Sequence, residues 1–132
     1  PSKGRIETKS KEPTFAGMPF SELMTILENE KITVPAKLTG GKGDCEMTVF
    51  DIFVKNTPAL SNGVQSNSDQ NSGPGFMYRE VALRLLPYGL VQFDKLPAAQ
   101  AKYFKRLSVS PEGHKFILQY KRLIAENAEN KN

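Results

Sequence analysis

One cysteine, one histidine and no tryptophan stand in a chain of 132 residues, and each scarcity removes a class of function. Cys45 alone excludes an intrachain disulfide, so the fold must rest on packing. A zinc site with nitrogen or sulfur ligands needs more than Cys45 and His114 supply. A thiolate nucleophile at Cys45 is disfavoured by the flanking charges of Asp44 and Glu46, and His114 follows Gly113 in a predicted first helical turn, exposed to solvent. Asp44, Glu46 and Asp51 read as solubilising groups around a turn rather than a cation site. No apolar run approaches the roughly 18–20 residues that span a bilayer, and no charged-then-apolar leader opens the chain. No catalytic residue, metal or cofactor is assigned, and the reading is non-enzymatic. Pro1 is what removal of an initiator Met leaves, which predicts a nearly complete native chain working inside a cell, an infected host cell or a virion.

The glycines of "TGGKGD" (39–44) lack the Ser or Thr of a phosphate-binding loop and the strand-to-helix setting such a loop needs. They read as a hairpin turn. "SGPGF" (72–76) is likewise spacing without the motif.

Eight Phe and four Tyr supply the aromatic bulk, and the net charge is +4. Its distribution says more than its size. Residues 1–12 carry four basic and two acidic side chains, residues 13–76 four and seven, and residues 77–132 ten and five. Positive charge at both ends around an acidic middle points to an anionic partner.

Residues 1–14 hold one large apolar side chain, Ile6, and read as a flexible basic arm whose Lys3, Arg5, Lys9 and Lys11 would lie along a phosphate backbone or a neighbouring subunit. Residues 15–132 are expected to form a single globular domain. "FSELMTILENE" (20–30) sets Phe20, Leu23, Met24 and Leu27 on one helical face, with Ser21 as N-cap and Asn29 near the end. Strands are expected at 31–38 and 46–55, the second apolar on both sides. Residues 56–75, rich in Asn, Ser and Gly, read as a long mobile polar loop, a subunit contact or flap. Strand is preferred to helix over 76–86, where Met77, Val81, Leu83 and Leu85 would face the core, and a short strand follows at 89–93. Helices are expected at 95–108 and 110–130. The first has Ala98, Ala101, Phe104 and Leu107 on its inner side. The second is capped by Ser110 and carries Phe116, Ile117, Tyr120, Leu123 and Ile124 on its core side; a hairpin turning at Pro-Glu-Gly competes with it.

The fold class is therefore α+β. It is a small, mostly antiparallel sheet of about four strands, with one helix before it and two after.

The lead to a partner is a pair of basic, tyrosine-bearing segments, "AKYFKRL" (101–107) and "QYKRL" (119–123). Lys102, Lys105 and Arg106 make one stripe; Lys115, Lys121 and Arg122 make another; Tyr103 has basic neighbours. If the stripes merge, they form a phosphate-binding surface with a ring available for stacking. The expected function is nucleic-acid binding, on single-stranded DNA or RNA, of a viral, phage or mobile-element packaging or replication type. The alternative is a structural or assembly protein that forms homo-oligomers or scaffolds a partner, as a virion component does.

Overall fold

The computed structural model describes residues 12–130, and its fold is α+β. Among the described residues the strands form three small antiparallel sheets rather than one. β1 (Thr14–Phe15) pairs with β2 (Met18–Pro19) across the two-residue turn Ala16-Gly17. β3 (Lys31–Val34) pairs with β4 (Cys45–Thr48), Ile32 opposite Met47. β7 (Arg106–Val109) lies between β5 (Val64–Gln65) and β6 (Val91–Phe93).

Lys3, Arg5, Lys9 and Lys11 of the expected arm lie outside the described residues. Its last residues are not part of an arm. Thr14 is in the first hairpin, and the Glu12 carboxylate accepts a hydrogen bond from the Ser21 N–H at 2.5 Å. That bond also revises the start of α1 (Phe20–Asn29). The N-cap position belongs to Pro19, which offers no side-chain oxygen, and Glu12 satisfies a free helix amide from outside instead. Phe20, Leu23 and Leu27 are buried as their spacing predicts.

Five segments adopt another structure than expected. The strand foreseen at 46–55 stops at Thr48, whose hydroxyl accepts from the Asp51 N–H at 3.0 Å and starts α2 (Val49–Lys55). Val49, Phe50, Ile52 and Phe53 are buried on this short helix. Apolar residues on both sides of a two-fold pattern are also what a deeply buried helix presents. The strand at 31–38 ends at Val34 and passes into a 3-10 turn, Ala36–Leu38; the Ala36 N–H donates to Asp44 Oδ1 at 2.8 Å and closes the glycine loop. Gly40, Gly41 and Gly43 take positive φ there, as turn chemistry requires.

The 56–75 segment, expected as a mobile loop, carries α3 (Thr57–Asn62), β5 and the helical turn α4 (Gly73–Phe76). Its polar side chains bond to its own backbone. Asp69 Oδ1 accepts from the Asn71 N–H, and Ser72 Oγ donates to Asp69 O and accepts from the Gly75 N–H. The strand preferred over 76–86 is instead helical: a π-helical stretch Met77–Ala82 and then α5 (Leu83–Leu85). Tyr78, Val81, Ala82 and Leu85 are buried at i, i+3, i+4 and i+7, while Leu83 and Met77 lie outside the deep core. The helix propensity of Ala, Leu, Arg and Glu prevails over the alternation. Arg84 on this helix donates to Glu30 at 2.7 Å at the end of α1, and that hydrogen bond raises the guanidinium pKa above its ordinary value.

The helix foreseen over 95–108 is reduced to α6 (Ala98–Ala101), with Ala98 and Ala101 exposed, before the chain turns and enters β7. Only tertiary pairing explains this, because β5 and β6 each need a partner strand, and β7 satisfies both. The last helix, α7 (Pro111–Asn130), forms as expected, and the competing hairpin does not. Ser110 Oγ caps it by accepting from the Gly113 N–H at 3.0 Å while donating to Gly89 O.

Phe116 on α7 is fully buried, its ring centroid 4.9 Å from Phe20, 5.4 Å from Phe15, 6.1 Å from Phe53 and 6.2 Å from Phe50. One aromatic residue thereby joins the first hairpin, α1 and α2. Tyr120 meets Phe50 edge-on at the margin of this cluster. Ile124, expected on the core side, is 48% exposed, because α7 runs beyond the body it packs on.

Candidate nucleic-acid interface

The first basic segment is a turn leading into a strand, so its side chains do not follow a helical stripe. Lys102 and Tyr103 occupy the turn after α6; both are exposed, Tyr103 at 79%. The Lys105 N–H donates to Ser66 Oγ at 2.8 Å, which fixes its backbone against the 56–75 segment. Lys105 Nζ lies 5.5 Å from the ring centroid of Phe93 on β6, within cation–π range. Phe93 is itself 46% exposed.

Arg106 has a different role. Its Nε donates to Asp94 Oδ2 at 2.7 Å, and Asp94 Oδ1 accepts from the Ser108 hydroxyl. Its aliphatic stem covers Gly63, where a Cβ would come 2.8 Å from Arg106 Cδ. Arg106 is thus a structural cation of the β5-β7-β6 sheet, with its charge matched by Asp94.

On the second segment Lys115 pairs with Glu112 one turn earlier on α7, at 3.2 Å. Lys121 and Arg122 are exposed and make no ion pair among the described residues. Lys115 and Arg122 line an open groove of about 810 Å³ between the first hairpin, α1 and α7, together with Phe15, Leu118 and the acidic Glu12 and Glu112. Lys105 instead lines a smaller hollow of about 190 Å³ with Phe93, Asp94, Leu96, Ala101 and Phe104. The two clefts share no residue, so each basic segment borders its own cleft.

The surface around the smaller hollow has the ingredients for binding an unpaired nucleic-acid strand. Two exposed rings, Phe93 and Tyr103, occur with the ammonium groups of Lys102 and Lys105 and the exposed Lys95 of the β6–α6 connection. Among the described residues these three lysines make no salt bridge. Phe93 and Lys95 are the members that sequence reading missed. The exposure of Phe93 has no local sequence signal, since Phe93 stands opposite the buried Leu107 in the strand pair and is nevertheless 46% exposed.

His114 and Cys45 are both exposed, and no group of three or more His, Cys, Asp or Glu able to hold a metal occurs among the described residues. No helix among them is long and apolar enough to cross a membrane. Compared with family models, curated proteins and solved structures, the chain matches none of them.

Proposed function

We propose that this protein binds single-stranded nucleic acid without enzymatic activity, through the surface formed by Phe93, Lys95, Lys102, Tyr103 and Lys105. The observation that carries the reading is the exposed Phe93 ring beneath the ammonium of Lys105, a lysine that follows the exposed Tyr103 by two residues in the chain. Every base has a π-face, so exposed rings stack on unpaired bases with little regard to sequence, while lysines neutralise the backbone. The positive balance of residues 77–132 supports the same reading through long-range attraction. Lys121 and Arg122 on α7 add to that field rather than to the stacking site. Such a protein acts inside a cell, an infected cell or a virion, in packaging or replication.

The test is fluorescence anisotropy with labelled oligo-dT, oligo-U and a duplex of equal length, titrated over a series of salt concentrations. Binding is expected to favour the single strands and to weaken steeply with salt. Replacing Lys102 and Lys105 together by Glu should abolish it with the fold intact. Equal binding by that variant overturns the reading.

A second reading, self-association as an assembly protein, is favoured by Leu118 and Ile124, which are 57% and 48% exposed on α7. It predicts a sedimentation coefficient that rises with concentration and ignores added oligonucleotide.

A further inference from the structure

A third cleft, of about 420 Å³, opens where the β3–β4 hairpin, the α2–α3 corner and the start of the π-helical stretch converge. Its volume falls in the ~300–1,000 Å³ range of small-ligand pockets. Val34 and Met47 line it from the hairpin, Ile52 and Asn56 from the corner, and Phe76 and Met77 from the third wall. No charged side chain lines it. No residue of either basic segment lines it, so the nucleic-acid reading leaves it without a role.

Three features distinguish this cleft from an incidental gap. Its third wall begins the π-helix Met77–Ala82, a conformation that is rare and concentrates at functional sites. The backbone beside that wall is held in place, since a Cβ on Gly75 would come 2.1 Å from Asp69 O, so the approach of residues 69 and 75 depends on glycine. The lining also has one polar side chain, and it has spare capacity. Asn56 Nδ2 donates to Ile52 O at 2.9 Å, while Asn56 Oδ1 accepts from no donor among the described residues.

We infer that this cleft binds a small, neutral, largely apolar molecule bearing one hydroxyl, with Asn56 Oδ1 accepting its hydrogen bond. The lining chemistry selects that class. Burying a carboxylate or an ammonium here would leave it without a counter-ion, which is costly. Apolar walls favour an alkyl or ring body, and the thioethers of Met47 and Met77 adapt to its shape. A lone acceptor prefers a ligand with a donor over a plain hydrocarbon.

The methionines make the test internal. Met47 and Met77 line the cleft, whereas Met18 is in the first hairpin and Met24 lines the groove on α1. With methyl-labelled methionine, adding 1-octanol should shift the resonances of Met47 and Met77 saturably and leave Met18 and Met24 in place. Octanoate should bind at least about tenfold more weakly, because its charge finds no partner. Asn56→Leu should weaken octanol roughly three- to tenfold, the worth of one hydrogen bond. Ala59→Trp places a bulky ring on an exposed lining residue and should remove the shifts while keeping the thermal midpoint. Should that variant unfold, the wild-type methionine pattern decides by itself. No saturable shift, equal movement of all four methyls, or octanoate binding as well as octanol overturns the inference.

Discussion

Arg106 donates to Asp94 at 2.7 Å, and the same carboxylate accepts from Ser108, so one acidic side chain ties the end of β6 to two positions of β7. This takes one arginine out of the proposed interface, to which its neighbours Lys102 and Lys105 are assigned. Arg106→Ala should therefore cost about 1 kcal/mol of stability, with part of that from the packing of its stem over Gly63. Lys102→Ala and Lys105→Ala should cost close to nothing. Urea titrations of the three variants check this, and equal stability of all three would contradict the assignment.

Gly113 stands in the first turn of α7, where alanine normally stabilises a helix. Here a Cβ would come 2.0 Å from Leu90 O and 2.7 Å from Val109 Cγ1. Gly113→Ala should thus destabilise by about 2 kcal/mol or more, against the usual propensity gain. Ser110→Ala should cost about 1–2 kcal/mol, because the cap is lost and Gly89 O loses its donor. Thermal melts of both variants provide the measurement.

Ala16 adopts φ 53° in the two-residue turn of the first hairpin, followed by Gly17 at 81°. Two successive positive φ values define a type I′ turn, which favours Asn-Gly or Gly-Gly. Ala16→Gly or Ala16→Asn should raise stability by about 0.5–1 kcal/mol, since the left-handed conformation penalises a Cβ. A lowered melting temperature for both would argue against this turn geometry.

Phe93 and Tyr103 separate stacking from charge in the proposed function. Phe93→Ala and Tyr103→Ala should each weaken oligo-dT binding by about 1–3 kcal/mol and leave the salt slope almost unchanged. Lys105→Ala should do the reverse in part, lowering the slope by about one phosphate's worth. Anisotropy titrations at several salt concentrations distinguish the two patterns.

Phe116 is the hub of the aromatic cluster, and its truncation to Ala should cost about 3–5 kcal/mol. Calorimetry or urea unfolding reads this directly; a loss below about 1 kcal/mol would mean that the ring does not join α1, α2 and the first hairpin as described.

The elements legible in the sequence were those whose signal is local. The spacing of Phe20, Leu23 and Leu27 sufficed for α1, Ser110-Pro111-Glu112 with Phe116 and Ile117 for α7, and the glycines of 39–44 for a turn, because each depends on contacts within a few residues. The α+β class followed from their order. The short strand expected at 89–93 is present as β6, but several other segments whose structure depends on a distant partner were misread. Residues 49–55 and 76–86 carry apolar residues on more than one side, a pattern shared by a central strand and a buried helix, and packing chose helix for both. Residues 103–109 resemble a continuing helix until the unpaired edges of β5 and β6 are brought to them.

The candidate site divides along the same line. The sequence by itself determined its charge, its Tyr103 and the scarcity of Cys and His, all properties of composition and near neighbours. Tertiary structure alone decided that Arg106 belongs to Asp94, that Lys105 covers Phe93, and that the basic segments border different clefts. Those outcomes depend on which strands pair and in what register, and burial across long sequence separations, not local preference, sets both.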